Sequence, residues 1–271
     1  MKKTALITGA SAGLGRELAQ LFAADKHDVV LVARRRDQLE ELATRLGTEQ
    51  GVTASVIPAD LADPASPARI VEELGRRNLT VDFLINNAGF GSTGRFVDRD
   101  LERELAMVQV NVTALVHLTG LLLPGMVARG SGRILNMGST AGFQPGPFMA
   151  TYYATKGFVN SWTEALAYEL RGTGVTATVV CPGATDTEFG AISGNGTSRL
   201  FRMGAMAAAP VARFAYRAMM AGKAVAVPGF RNKLGLQIQR VSTRGVTRAV
   251  AARLNQIPGA PQLNGQTTSG R

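Results

Sequence analysis

Cysteine is nearly missing from this 271-residue chain: Cys181 stands alone, so no internal disulfide can form and a reducing cytoplasm suits it. It precedes Pro182 at the end of an apolar run, the setting of a buried structural thiol rather than a nucleophile. Histidine is scarce too. His27 and His117 are far apart with no ligand spacing; neither is assigned to chemistry, and no metal site is visible. No apolar run approaches the roughly 20 residues needed to span a bilayer. The chain passes from Met-Lys-Lys straight into its first apolar run with no separate leader, so a cytoplasmic location is expected. Acidic residues stop at Glu188; beyond it lie 12 Lys and Arg and no Asp or Glu. Residues 1–188 carry 18 basic and 20 acidic side chains, so the net charge of +10 describes the last third alone. The remainder is ordinary for a globular protein: 45% hydrophobic and 18% charged residues, at a length that suits one α/β domain.

The stretch from Thr4 to Phe22 organises the rest. Ala5-Leu6-Ile7 reads as a buried first strand, Thr8 to Gly15 as a glycine turn, and Leu14, Leu18, Leu21 and Phe22 recur at helical spacing. Strand, glycine turn and helix together make a dinucleotide-site hypothesis. Glycine lets the backbone approach a pyrophosphate, and the helix N-terminus offers N–H groups and a positive dipole end. The spacing is Gly-x-x-x-Gly-x-Gly, with Gly9, Gly13 and Gly15, rather than the commoner Gly-x-Gly-x-x-Gly. Asp28 to Ala33 is a second apolar strand, with Arg34-Arg35-Arg36 at its C-terminal end. An acid at that point would accept from a ribose 2′-OH, whereas a guanidinium suits a 2′-phosphate, so NADP(H) is favoured over NAD(H).

Further strands are predicted at Val52–Pro58, Val81–Ile85, Arg133–Met137 and Val175–Cys181, with a last one at Ala224–Val227. Helices are predicted at Asp37–Leu46, after Pro64 and Pro67, over Leu101–Val127 around Asn111, and over Met149–Leu170. This alternation argues for parallel βαβ units covered on both faces. Tyr152 and Lys156 stand at i and i+4, so they share one helix face. An ammonium beside a phenol lowers the phenol's pKa, which a general acid/base on an alcohol or ketone needs. Tyr153 also neighbours Lys156, and spacing alone does not choose between the tyrosines. Ser139, at the end of a strand, is a hydrogen-bond donor for the same substrate oxygen; no His serves it as a base, which disfavours serine hydrolysis.

Thr8-Gly9-x-x-x-Gly13-x-Gly15, Asn86-Asn87-Ala88-Gly89, Asn111, Ser139, Tyr152-x-x-x-Lys156 and Pro182-Gly183-x-x-x-Thr187 occur in that order. Each piece is weak. As a set over residues 1–228 they resemble the short-chain dehydrogenase/reductase family in its shorter, single-domain form. The resemblance implies a Rossmann-like, doubly wound three-layer α/β fold over residues 1–229, with a basic extension at 230–271. It selects Tyr152 as general acid/base, with Lys156 lowering its pKa and holding the nicotinamide ribose. Ser139 would polarise the carbonyl, and Asn111 would kink its helix and hold a water that relays protons to Lys156. Gly9, Gly13, Leu14 and Gly15 would carry the pyrophosphate, Ser11 and Arg34 the 2′-phosphate, and Asp60 with Leu61 the adenine. Asn87, Ala88 and Gly89 would border the cofactor, as would Pro182 and Gly183, and Thr187 would contact the carboxamide. The segment Gln144 to Met149 and the Pro228-Gly229 ending look more like the reductases labelled DltE-like than like bacterial 3-oxoacyl-carrier reductases.

Phe90, Phe143, Phe148, Met149 and Phe189 cluster around the expected site and suggest an apolar carbonyl or alcohol substrate. A lid is expected at about 188–209, centred on the Gly- and Ser-rich Ala191 to Gly204. From Arg231 onward Leu234, Ile238, Val241, Val246, Val250 and Leu254 give rough helical periodicity interrupted by Gly245, with Arg240, Arg244 and Arg248 at i+4 on another face. Packing on the body or on a sister subunit of a homodimer or homotetramer, a membrane surface, or docking of an acidic carrier or coenzyme A ester would each explain that segment; nucleic acid has no motif behind it. Gly259 to Arg271 reads as a disordered end. The leading reading is an NADP-dependent carbonyl reductase or alcohol dehydrogenase. Its rivals are an idle cofactor-binding sensor or scaffold, a 3-oxoacyl thioester reductase, and an epimerase or dehydratase.

Overall fold

The computed structural model describes residues 2–202 and 204–256. Strands and helices alternate as the sequence predicts: β1 (Thr4–Thr8), α1 (Gly13–Ala24), β2 (Asp28–Ala33), α2 (Arg36–Gln50), β3 (Ala54–Pro58) and α3 (Ser66–Arg76). β4 (Phe83–Asn86) leads to α4 (Leu101–Val108), a π turn (Gln109–Thr113) and α5 (Ala114–Ala128). β5 (Gly132–Met137), α6 (Ala150–Glu169) and β6 (Val175–Val180) complete the central units. A small parallel ribbon of β7 (Thr185–Asp186) and β8 (Met206–Ala207) brackets α7 (Glu188–Ser193) and α8 (Arg199–Arg202). α9 (Ala208–Met220), β9 (Val225–Ala226), α10 (Phe230–Val241) and α11 (Arg244–Asn255) follow.

Seven strands form one parallel sheet in the order β3-β2-β1-β4-β5-β6-β9. Period-two alternation divides their side chains between two cores. Ala5, Ile7, Val29, Leu31, Phe83 and Ile85 join one core with α1, α2 and α9. Leu6, Val30, Val32, Leu84 and Ile134 join the other with α3, α5 and α6. Burial on both faces is why these strands read as continuous apolar runs. The result is a Rossmann-like, three-layer α/β fold. The chain leaves β1 in one direction toward β2 and β3, then returns to add β4 on the other side. The C-terminal ends of β1 and β4 therefore flank the switch point, where such sheets bind ligands.

Several boundaries shift. α2 runs beyond the predicted Leu46 to Gln50, stopping at Gly51, whose left-handed φ of 66° closes the helix. From Leu101 to Ala128 the backbone is one helix, long and apolar enough by composition to cross a membrane, which corrects the expectation that no stretch reaches that length. Leu115, Leu118 and Met126 are buried, and Asn111 and Thr119 bond within the body, as in a core helix. The basic segment is two helices, not one interrupted at Gly245. The break is at Ser242–Thr243, where Thr243 Oγ1 accepts from the Val246 N–H as the N-cap of α11. Arg240 thus lies on a different helix from Arg244 and Arg248, so the three do not continue one i+4 row. Gly259 to Arg271 lies outside the described residues.

Candidate active site

The glycine turn is built by close approach. Gly9 has φ of 67°, and a Cβ on it would lie 2.8 Å from Asn87 Nδ2. A Cβ on Gly15 would lie 2.2 Å from the Gly9 carbonyl oxygen, so no side chain fits there. Thr8 ties this turn to the end of β4: its Oγ1 accepts from the N–H groups of Asn87 and Ala88, both at 3.0 Å. Asn87 Nδ2 also donates to the Thr8 carbonyl at 2.9 Å. The expected bracing by Asn87 is therefore a two-point clamp on Thr8, with Asn87 the donor in both bonds.

A cavity of about 580 Å³ opens along this switch point. Of the expected cofactor residues, Gly9, Ser11, Gly13, Leu14, Arg34, Asp60 and Leu61 line it, as do Asn87, Ala88, Gly89, Pro182, Gly183 and Thr187. Gly15 does not line it and acts from behind, by letting α1 start against Gly9. Ser139, Tyr152 and Lys156 line the same cavity. Asn111 does not; it is buried at 1% exposure in the π turn. Its Oδ1 accepts from the Phe90 N–H at 3.1 Å, while its Nδ2 donates to the Phe90 carbonyl and to Thr155 Oγ1, both at 3.0 Å. That amide locks the loop after β4 onto α6.

Tyr153 donates its hydroxyl to Asn255 Oδ1 at 3.0 Å, so its phenol is engaged with α11. Tyr152, edge-on to Tyr153 and 5.2 Å from the Phe189 ring, has Ser139 as its polar partner. Burial pushes the Tyr152 phenol well above its ordinary range, and the Ser139 hydrogen bond only partly offsets this. The net Tyr152 shift is upward and set by burial rather than by the expected lowering from Lys156. Lys156 Nζ donates to the Met137 carbonyl at 2.7 Å and stands 5.9 Å from the Tyr152 ring centroid. Burial lowers the Lys156 ammonium itself from 10.5 to about 8, with neighbouring Cys181 opposing the shift. Cys181 is fully buried, and burial raises its thiol to about 12, as befits an inert structural cysteine.

The family model for short chain dehydrogenase matches residues 3–195. The chain belongs to the short chain dehydrogenase family. It is 39% identical over 181 residues to ketoacyl reductase HetN of Nostoc, covering 67% of this chain and 63% of that protein. It thus spans less than two thirds of that relative's length. Sulfoacetaldehyde reductase 2 of Chromohalobacter salexigens is 37% identical over 191 residues, 70% of this chain and 75% of the relative. A solved short-chain dehydrogenase from Sphingobium yanoikuyae, in complex with NADPH, superposes with a TM-score of 0.80 at 33% identity, over 97% of this chain and 99% of that one. The bulky-bulky ketone specific alcohol dehydrogenase of Comamonas testosteroni gives 0.75 at 31% identity, over 96% of each chain.

Two residues that sequence reasoning missed support the candidate site of this short chain dehydrogenase family member. Asn160 is one: its Nδ2 donates to the Ser139 carbonyl at 2.9 Å, fixing the turn that presents Ser139. It lies four residues beyond Lys156, on the face shared with Tyr152, and that spacing was a usable signal. Arg35 is another. Arg34 lines the groove as expected, but Arg35 donates to Ser11 Oγ through Nε at 3.2 Å and Nη2 at 3.0 Å. Of the predicted apolar cluster, Phe90, Met149 and Phe189 line the cavity, whereas Phe143 and Phe148 do not. Phe143 points to solvent at 41% exposure, and Phe148 takes a left-handed φ of 68° where the loop reverses into α6. Leu254 lines the cavity from the far end of the basic segment.

Proposed function

We propose that the protein is an NADP(H)-dependent oxidoreductase that moves hydride between nicotinamide and an apolar ketone or secondary alcohol, with NAD(H) as the weaker cofactor. The observation that carries this is the convergence of Ser139, Tyr152 and Lys156 on the same cavity as the glycine turn. The Gly9–Gly15 contact supports the dinucleotide, since that close approach leaves the backbone bare at the start of α1. The dinucleotide supplies the hydride; the side chains manage position and protons. Tyr152, kept protonated by burial, gives its phenolic proton to the carbonyl oxygen or takes it back from the alcohol. Ser139 orients that oxygen. Lys156 would hold the nicotinamide ribose, Asn111 would support a water relay behind it, Asp60 and Leu61 would meet the adenine, and Thr187 the carboxamide.

The reductase names of two relatives support carbonyl reduction, and the NADPH complex of the Sphingobium structure supports the cofactor. Phe90, Met149, Phe189, Ile192, Phe201 and Leu254 support an apolar substrate, with Gln144 and Asn195 as polar anchors. Membership of the DltE-like subgroup rests on the Gln144–Met149 segment and the Pro228-Gly229 ending. A panel of ketones and alcohols, followed by NADPH absorbance on the full chain, tests the reading; binding of NADPH with no turnover across the panel would favour an idle sensor.

Cofactor choice gives a second test. Arg35→Asp is expected to weaken NADPH binding at least about tenfold, the scale of one charge-assisted hydrogen bond, and to affect NADH much less. Fluorescence titration of both cofactors checks it, and equal loss for the two would mean that Arg35 is structural. The exposed Leu101, Leu105 and Phe158 support a homodimer or homotetramer. Leu234, Ile238 and Val241, exposed on α10, which like α11 carries no acidic residue, support contact with a membrane surface. Truncation after Pro228 should leave the seven strands intact and change the oligomer on a sizing column, whereas an unchanged oligomer together with lost binding to anionic vesicles would assign the segment to a membrane surface. A cytoplasmic location accompanies this reading.

A further inference from the structure

Arg35 has a second partner. Its Nη2 and Nη1 donate to Glu188 Oε2 at 2.9 Å and Oε1 at 3.3 Å, a bidentate pair. With Nε and Nη2 also on Ser11, all three guanidinium nitrogens are engaged. Glu188 opens α7, and the next residue, Phe189, packs on Tyr152. At its other end α7 is held by Arg103, whose Nη2 donates to the Ile192 carbonyl at 2.7 Å. The Arg35–Glu188 pair therefore crosses the mouth of the groove, joining the end of β2 to the lid helix that covers the catalytic tyrosine.

We propose that Glu188 is a cofactor-specificity residue: its carboxylate competes with the cofactor's 2′-phosphate for Arg35. The inference rests on the NADP(H) reading above. A phosphate gripped bidentately by Arg35 must take donors that Ser11 or Glu188 now holds, and it would sit beside a like charge at Glu188. Arg35 and Glu188 are 42% and 50% exposed, so their pairing is weak and readily exchanged for a dianion. A 2′-hydroxyl carries no charge to displace the carboxylate. Glu188 thus lowers affinity for 2′-phosphorylated nucleotides selectively. When it yields, α7 loses its tie to the end of β2, so the lid is linked to the identity of the cofactor.

The test is calorimetric titration of the full chain and of Glu188→Gln with 2′,5′-ADP and 5′-AMP. Glu188→Gln should tighten 2′,5′-ADP binding about three- to tenfold, an ion pair's worth of competition with added repulsion, and leave 5′-AMP unchanged. The gain should shrink as salt rises past about 0.15 M, where the Debye length is roughly 8 Å. In an Arg35→Gln background the same substitution should have less than about half of that effect on the free-energy scale, because the contested donor is gone. Unchanged or weaker 2′,5′-ADP binding in Glu188→Gln overturns the proposal, as does an equal gain for 5′-AMP. A wild-type chain that binds no 2′,5′-ADP at all would instead sink the NADP(H) reading.

Discussion

Tyr152→Phe is expected to cut ketone turnover at least about a hundredfold, the usual scale for losing a general acid/base, with NADPH affinity nearly unchanged. The substitution deletes only the hydroxyl beside Ser139 and keeps the ring that packs on Phe189 and Tyr153. Tyr153→Phe should behave differently. It removes one hydrogen bond to Asn255, worth about 1 kcal/mol, and takes no proton-transfer group from the cavity. Steady-state rates of the two variants decide the matter. A near-normal Tyr152→Phe beside a dead Tyr153→Phe would transfer the acid/base role to Tyr153.

Lys156→Met should inactivate the protein and stabilise it. The folded chain holds the ammonium's pKa at about 8 against 10.5 in the unfolded state, so folding disfavours the charged form. Between those values the unfolded state binds more protons, and stability rises with pH; below about pH 8 the full cost applies. At 1.36 kcal/mol per unit the cost is roughly 3 kcal/mol, of which the lost bond to the Met137 carbonyl returns about 1–2. The net gain of about 1 kcal/mol should raise Tm by about 2–4 °C at pH 7, measured without cofactor, and vanish by about pH 10. A Tm lower than wild type at pH 7 would show that the Met137 bond outweighs burial. A lysine kept at such a cost is what a working site, rather than a stable core, requires.

The sheet and the glycine turn were legible because their signals are local. Val-rich strands alternate with helices, and Gly9, Gly13 and Gly15 stand where one strand meets one helix. Tyr152, Lys156 and the overlooked Asn160 are likewise one helical stripe. Contacts between distant segments left no such trace. Nothing near Asn255 in sequence announces Tyr153, 102 residues away, or Pro147, whose carbonyl accepts from Asn255 Nδ2 at 3.0 Å. Nor does Gln239 announce Gln144, to which it donates at 2.8 Å. Arg35 was hidden by its neighbours: three consecutive arginines share one composition, and only the direction of the chain leaving β2 separates them. Lys156 was misjudged in a different way, since spacing shows who is near but not how dry the site is.

The amide ties from α10 and α11 have a bearing on the order in which the molecule is made. The residues expected to meet the nucleotide lie between Gly9 and Thr187, and the sheet beneath them is closed by β9. Leu254 and Asn255 leave the ribosome some seconds later, at about 5–20 residues per second. A nascent chain therefore acquires its nucleotide-binding half before the wall that completes the substrate half. Nucleotide present during translation can act on the young sheet as a folding ligand, stabilising it by mass action while the substrate side is still open to solvent.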